Sequence, residues 1–148
     1  MKDFDLALRR AYFAALSNQI VIEGNPIPIA DSKLEEFKTE NSIYILVWSQ
    51  NGRAEDTKCS YRSYSEIILG IVHTMKGAGT KKIVDLVADQ ITQRLFPTRK
   101  TTTLQIESGF RLYVPKLIST DTSGISQVEN SNDYRIVKTL VFSNIIIQ

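Results

Sequence analysis

One stretch of the chain decides the fold: residues 60–97, with the sequence SYRSYSEIILGIVHTMKGAGTKKIVDLVADQITQRLFP. Its first part, Ser60–Met75, is rich in β-branched and aromatic residues, a composition typical of a strand. Gly77–Thr80 then has the residues of a tight turn. In Lys81–Phe96 apolar residues recur every three or four positions up to a proline, which predicts an amphipathic helix. The stretch therefore predicts a long strand, a turn and a helix folded back onto the sheet.

The segments on either side extend this pattern into a sheet. The predicted elements are a helix over Asp3–Asn18 and strands over Gln19–Glu23, Ser42–Gln50, Thr101–Glu107, Phe110–Val114 and Tyr134–Phe142. Because Ile43–Trp48 is continuously apolar, we expect this strand to be buried on both faces, with Tyr44 and Trp48 in the core. Asn51-Gly52 is a strong turn signal, so we expect Asn51–Cys59 to join two antiparallel strands. The predicted fold class is α+β, a mainly antiparallel β-sheet with two principal α-helices packed against it.

Length and composition bound the class of protein. A chain of 148 residues is expected to form a single domain, residues 1–148. The formal net charge of +2 lacks the strongly basic balance of a dedicated nucleic-acid-binding domain. No apolar run approaches the roughly 20 residues that span a bilayer, and the N-terminus lacks the pattern of a signal peptide. We therefore expect a soluble intracellular protein without a membrane partner.

Side chains that carry chemistry do not gather in a recognisable motif. Cys59 is the only cysteine, which excludes an internal disulfide and a zinc site built from several cysteines, and favours a reducing compartment. His73 is the only histidine and lies in phase with apolar strand residues, so we expect it to be structural. Asp85 and Asp89 share a helix face, which is typical of a solvated surface. We expect no catalytic residues, no metal site and no cofactor.

Four segments together have more extended, apolar or mobile material than a monomer requires: Pro26–Ala30, Arg53–Lys58, Ser119–Asn132 and Ile145–Ile147. We expect an extended arm at residues 24–30, a mobile loop at 116–133 and an apolar C-terminal tail at 144–148. An apolar C-terminal strand with free backbone groups is a template for pairing with another chain. The alternative is that Ile145–Ile147 packs into the core of its own chain. The candidate oligomer-interface residues are Pro26, Ile27, Pro28, Ile29, Ile145, Ile146 and Ile147.

The turn Gly77–Lys82 supports an alternative function. It lies between a predicted strand and a predicted helix, where phosphate-binding loops occur. It lacks the spacing of a Walker loop and the third glycine of a dinucleotide motif. A tight turn explains it most simply, and a small phosphate- or nucleotide-binding enzyme is the alternative.

A basic set supports a third hypothesis. Arg94, Arg99 and Lys100 gather at the predicted C-terminal end of the helix. Cations are favoured there by the helix dipole. The same residues could contact phosphates, so a nucleic-acid-binding module with steeply salt-dependent affinity remains an alternative.

The order of elements resembles that of the tail terminator and tail-completion proteins of tailed bacteriophages, and of similar neck-ring proteins. The segments that carry the resemblance are Asp3–Leu16, Ile43–Trp48, Ser60–Met75, Lys81–Phe96 followed by Phe110–Val114, and Tyr134–Phe142. The resemblance covers most of the chain and is one of pattern, without a short motif.

The resemblance implies a non-enzymatic structural protein of the virion. It implies a ring of copies, about six or twelve, formed head to tail from two different surfaces of each subunit. The ring would join head to tail at the neck, or cap the tail tube, beside adjacent connector or tail-tube proteins. DNA would pass through the lumen without sequence-specific binding, and assembly would take place in the host cytoplasm. The charges that would face the lumen or a partner are Arg53, Lys58, Arg99 and Lys100.

Overall fold

The chain forms an α+β fold of two helices and a mainly antiparallel sheet. The computed structural model describes residues 3–31, 43–57, 60–76, 81–113, 115–128 and 132–148. In chain order the elements are α1 (Phe4–Leu16), β1 (Val21–Ile22), β2 (Asn25–Pro26), β3 (Ile29–Ala30), β4 (Ile43–Thr57), β5 (Ser60–Lys76), α2 (Lys82–Leu95), β6 (Arg111–Leu112), β7 (Lys116–Thr122), β8 (Ser126–Gln127) and β9 (Asp133–Ile147).

Three long strands form the centre of the main sheet. β5, which is 17 residues long, lies between β4 and β9 and is antiparallel to both. β3 pairs in parallel with the start of β4, whereas β6, β7 and β8 pair one after another along the far side of β9. β1 and β2 form a separate small hairpin. In the described part of the chain the sheet therefore has β4 with β3 at one edge and β7 with β6 and β8 at the other.

Both helices pack on the same face of the sheet, here called the helix face. α1 begins at an Asp3 cap, whose Oδ1 accepts hydrogen bonds from the backbone amides of Asp5 at 2.9 Å and Leu6 at 3.3 Å. The apolar stripes of α1 and α2 bury themselves against alternate residues of β5 and β9. The fully buried large side chains include Leu8, Tyr12, Leu16, Ile67, Leu69, Ile71, Ile91, Leu95, Leu140 and Phe142. This alternation selects which face of each strand meets the helices.

A glycine explains how α1 approaches the sheet. A Cβ at Gly52 would lie 2.7 Å from Oδ1 of Asp5, so a larger residue would require the Asp5 carboxylate to move. Gln50 secures the same contact, because its Nε2 donates to the backbone carbonyl of Asp5 at 2.8 Å. Asn51-Gly52 was expected to form a turn. It is instead part of β4, which stays paired with β5 as far as Thr57.

Several boundaries differ from the predictions. Residues 116–133, expected as a mobile loop, contain β7 and β8, because their backbone groups pair with β9. The expected tail at 144–148 lies mostly within β9, with Asn144–Ile147 paired to β5. The predicted strand at 101–107 is irregular. The expected arm at 24–30 is short strand and turn, and Ile27 is buried.

A buried polar cluster links α1 to two strands. The Tyr12 hydroxyl donates to Oδ1 of Asn144 at 2.9 Å, and Nδ2 of Asn144 donates to the carbonyl of Ser65 at 3.1 Å. Asn144 and Tyr12 are fully buried. Because each group has a specific partner, the cluster favours one register of β9 against β5 and one position of α1.

Candidate assembly surface

The described residues do not form a recognisable catalytic or metal centre. No cluster of three or more His, Cys, Asp and Glu side chains occurs in the described ranges. No helix within these ranges is both long and apolar enough to cross a membrane. His73 is only 8% exposed, and its Nδ1 has no hydrogen-bond partner there. Cys59 lies outside the described residues.

Burial lowers the pKa of His73 below its ordinary value of 6.5. The unfolded chain therefore takes up a proton at pH values where the folded chain does not, and stability falls as the pH drops below about 6.5. We expect His73→Val to lose less stability than the natural chain between about pH 7 and pH 5. Urea unfolding at both pH values measures this difference. An identical loss in both chains would contradict the assignment of His73 as a buried neutral side chain.

The described residues next to the predicted phosphate-binding turn do not form a recognisable phosphate-binding site. Gly77–Thr80 lies outside the described residues. Lys81 and Lys82 are exposed at the start of α2. Asp85 forms an ion pair with Lys138 at 2.6 Å, and Asp89 accepts a hydrogen bond from Gln93 at 2.9 Å. These carboxylates serve surface contacts and do not converge on a common point.

The predicted cations are separated along the chain. Nε of Arg94 donates to the backbone carbonyl of Ala15 at 3.3 Å and so ties α2 to the end of α1. Arg99 and Lys100 are exposed just after α2, and Arg53 is exposed on β4. Lys58 lies outside the described residues. Of the three residues in the nucleic-acid hypothesis, Arg94 has a structural role.

The predicted interface residues fall into two groups. Ile145, Ile146 and Ile147 lie in β9, between β5 and β6, so their backbone groups are not a free edge. Ile146 is buried on the helix face, whereas its two neighbours are half-buried on the opposite face.

The proline-bearing group lies beside the start of β4. Pro28 accepts a hydrogen bond from the amide of Ile45 at 2.9 Å, which places Ile29 in β3. Pro26 is exposed, whereas Ile27 is buried. These residues belong to the same edge of the sheet as β4.

One edge of the sheet is formed by the second half of β4. β3 pairs only with Ile45 and Leu46, so no described strand covers the outer side of Ser49–Thr57. We call this segment the β4 edge. Its side chains from Asn51 to Glu55 are exposed. Unpaired backbone N–H and C=O groups along such a strand can accept a strand from another chain.

The opposite edge of the sheet is formed by β6 and β7. Both pair with β9 on one side, and no described strand lies on their other side. We call residues 111–113 and 115–122 together the β7 edge. Most of its side chains are exposed, including Tyr113 at 55%. The described part of the chain therefore has two different strand edges on opposite sides of one sheet.

Each edge strand has a β-bulge at the same level of the sheet. Ser49 and Ser119 both lie opposite the β5–β9 pair Ile68 and Val141, and the register shifts just before each serine. The residues inserted by the shifts are Trp48 and Ile118, which are 53% and 50% exposed. Bulges bend a strand and redirect a side chain. Here they place one large exposed apolar side chain at each edge.

Trp48 lies on the sheet face opposite the helices, here called the outer face. A Cβ at Gly70 would lie 2.9 Å from Cε3 of Trp48, so the indole ring covers this glycine. The prediction that Trp48 is a core residue is wrong because Trp48 follows Tyr44 and Leu46 on the outer face, where its side chain is 53% exposed. Tyr44, the other predicted core aromatic, is buried as expected.

A shallow cleft accompanies each edge. One, of about 260 Å³, is lined by Trp48, Gln50, Arg9 and Asp31 and lies where β3 stops covering β4. The other, of about 440 Å³, is lined by Phe110, Arg111, Ile147 and their neighbours beside β6. The clefts extend both edges into concave surfaces.

Sequence reasoning missed these edges because strand partners and bulges depend on the whole sheet.

Comparison with known proteins adds one related fold. No protein-family model and no curated protein matches the chain. A chain in the virion of a native gene transfer agent (GTA) particle has the same fold. The superposition has a TM-score of 0.58 at 12% sequence identity and covers 98% of this chain and 95% of the GTA chain. The likeness to the GTA chain thus extends over the entire α+β unit.

Proposed function

We propose that this chain is a non-enzymatic structural protein of a phage-like virion, forming a ring at the head–tail neck or at the head-proximal end of the tail. The observation that carries this proposal is the likeness to the GTA virion chain over 98% of the sequence. Because a shared fold does not by itself fix a function, the proposal also rests on the two strand edges described above, which suit a role in assembly.

The open sheet supports a role in assembly. A head-to-tail ring needs two different surfaces on each subunit. The β4 edge and the β7 edge provide such a pair, on opposite sides of one sheet. Closure at about six or twelve copies would leave no strand edge exposed, which removes the risk of uncontrolled aggregation.

The proposed surroundings of the ring follow from its position. Adjacent connector or tail-tube proteins would contact the two ring faces, and DNA would pass through the lumen without base readout. Arg53, Lys58, Arg99 and Lys100 are the cations proposed to face the lumen or a partner. The half-buried residues Ile145 and Ile147 and the segment Pro26–Ile29 are proposed to contribute to contacts between subunits.

Removing the chain from its particle tests the function directly. We expect particles made without it to accumulate as separate heads and tails, because the joint between them is missing. Electron microscopy of gradient-purified particles measures the joined fraction, and the chain supplied in trans is expected to restore it. A His73→Val variant supplied in the same way is a matched control, since it alters the core and leaves both edges intact. Joined particles at the normal frequency without the chain would contradict the proposal.

A further inference from the structure

We infer that neighbouring copies of this chain join through the β4 edge of one copy and the β7 edge of the next, with Trp48 packed against Ile118. The inference rests on the proposed function, since it names the contact that would build the ring. Its occupant is a second copy of this chain. Three features at matched levels of the two edges carry it.

The first feature is the pair of bulges. Because Ser49 and Ser119 lie opposite the same β5–β9 residue pair, Trp48 and Ile118 occupy the same level on opposite edges. Each is about half exposed. A side-by-side copy brings these two apolar side chains together, and burying a tryptophan in a neighbour is a common source of binding free energy.

The second feature is charge complementarity further along the edges. One row of paired residues runs across the whole sheet, from Glu55 on the β4 edge to Arg111 on the β7 edge. Between them lie Arg62 of β5 and Ile147 of β9. This row of the sheet thus ends in an exposed acid on one side and an exposed base on the other. A neighbour placed at the same level brings Glu55 of one copy to Arg111 of the next.

The third feature is the row between these two. In this row Arg53 of β4 pairs with Tyr64 of β5, and Tyr64 pairs with Ile145 of β9. The amide of Tyr113 donates to the Ile145 carbonyl at 3.0 Å, so Tyr113 ends the row at the β7 edge. Arg53 and Tyr113 are both exposed. A guanidinium over a tyrosine ring is a favourable contact, so the same placement that joins the other two pairs also satisfies this one.

Strand direction agrees with the same arrangement. β4 is antiparallel to β5, β5 to β9, and β9 to β7, so β7 and β4 run in opposite directions. Copies related by rotation about an axis along the strands would therefore place β7 of one copy antiparallel to β4 of the next. Their free backbone groups can then pair, and the sheet continues from copy to copy.

Site-directed cross-linking tests this contact. In a full-length Cys59→Ser background, which removes the only native cysteine, one chain has Trp48→Cys and another has Ile118→Cys. Each is treated with a mild oxidant alone and after mixing. We expect a disulfide-linked dimer only in the mixture. A chain with both substitutions should give a ladder of bands ending at the number of copies in the ring.

A matched control uses Leu86→Cys, a similarly exposed apolar position on α2, which should remain uncross-linked with either partner. Charge reversal supplies a second measurement that does not depend on Trp48. Glu55→Arg and Arg111→Glu should each weaken association, and the chain with both changes should recover it. Trp48→Ala should weaken association by at least about tenfold, the effect of a truncated hot-spot aromatic.

The outcomes separate this contact from the proposed function. Rings in micrographs together with cross-linking only in the mixture support both. Rings without that cross-link overturn the edge contact and leave the ring itself standing. Cross-links within either single variant alone indicate a two-fold contact between identical edges and overturn the inference. Absence of both rings and cross-links overturns the contact together with the proposed ring.

Discussion

Replacing Phe142 by alanine is expected to lower the free energy of unfolding by about 3–5 kcal/mol. The side chain is fully buried in β9, and its ring lies 5.7 Å from that of Tyr12 and 5.9 Å from that of Phe96. It therefore joins α1, the end of α2 and the sheet in one cluster. Truncation removes the apolar area of an aromatic ring and leaves a cavity that these three elements cannot close together.

Urea unfolding followed by circular dichroism measures the loss, and a neighbouring residue provides the control. Val141 precedes Phe142 on the same strand but lies on the outer face, half-buried. Val141→Ala should cost no more than about 1.5 kcal/mol, the order of two partly buried methyl groups. Equal losses from the two substitutions would show that the core does not lie between the helices and this face of β9.

Replacing Asn144 by leucine is the second large effect expected. The substitution keeps the branched shape and the number of heavy atoms but removes the acceptor of the Tyr12 hydroxyl and the donor to the Ser65 carbonyl. A buried polar group left without a partner costs about 1–3 kcal/mol. Adding Tyr12→Phe removes one of these unpaired groups, so the double variant should recover part of the loss. A double variant less stable than Asn144→Leu alone would contradict this account of the cluster.

The same cluster gives stability a dependence on alkaline pH. Burial raises the pKa of the Tyr12 hydroxyl well above its ordinary value of 10. The folded chain then keeps a proton that the unfolded chain releases, so stability is full below about pH 10 and falls above it by up to about 1.4 kcal/mol per pH unit. Tyr12→Phe should therefore be less sensitive than the natural chain between about pH 9 and pH 11 in urea unfolding.

An exposed tyrosine provides the control for this dependence. Tyr113 lies on the surface, so removing its hydroxyl leaves the buried cluster of Tyr12 and Asn144 intact. Tyr113→Phe should therefore follow the alkaline profile of the natural chain. If Tyr12→Phe follows the same profile, the hydroxyl is not held protonated by the fold.

The elements that the sequence predicts best are those whose burial depends on local pattern. Helix α2 and strand β5 follow from period 3.6 and period 2 in one stretch, and the structure places them at Lys82–Leu95 and Ser60–Lys76. The α+β class follows from the order of these elements, and it too is confirmed.

The predictions fail where contacts with distant parts of the chain determine the local structure or the burial of a residue. Gly52 lies in β4, paired with Ser65 of β5, whereas the dipeptide alone indicates a turn. Residues 116–122 are polar enough for a loop, yet they form β7 because β9 has a free side there. Trp48 is in an apolar run, but its side chain lies on the outer face of the sheet, opposite both helices, and is half exposed.

The candidate surface shows the same limit. The sequence indicates strands that end in exposed apolar segments, and it predicts an interface at the apolar segment Ile145–Ile147. In the structure this segment pairs on both sides. Among the described strands, the ones without an outer partner are the second half of β4 and the segment with β6 and β7. Which strand lies at an edge depends on the order of the sheet, which hydrophobic periodicity does not contain.

Native mass spectrometry of the purified full-length chain over a range of concentrations tests the ring most directly. The account predicts a single closed species at a fixed multiple of the 16.7 kDa subunit, about six or twelve copies, that appears as a ring in micrographs of the same sample. A chain that stays at 16.7 kDa at every concentration, alone and with its neighbouring virion proteins, would contradict it.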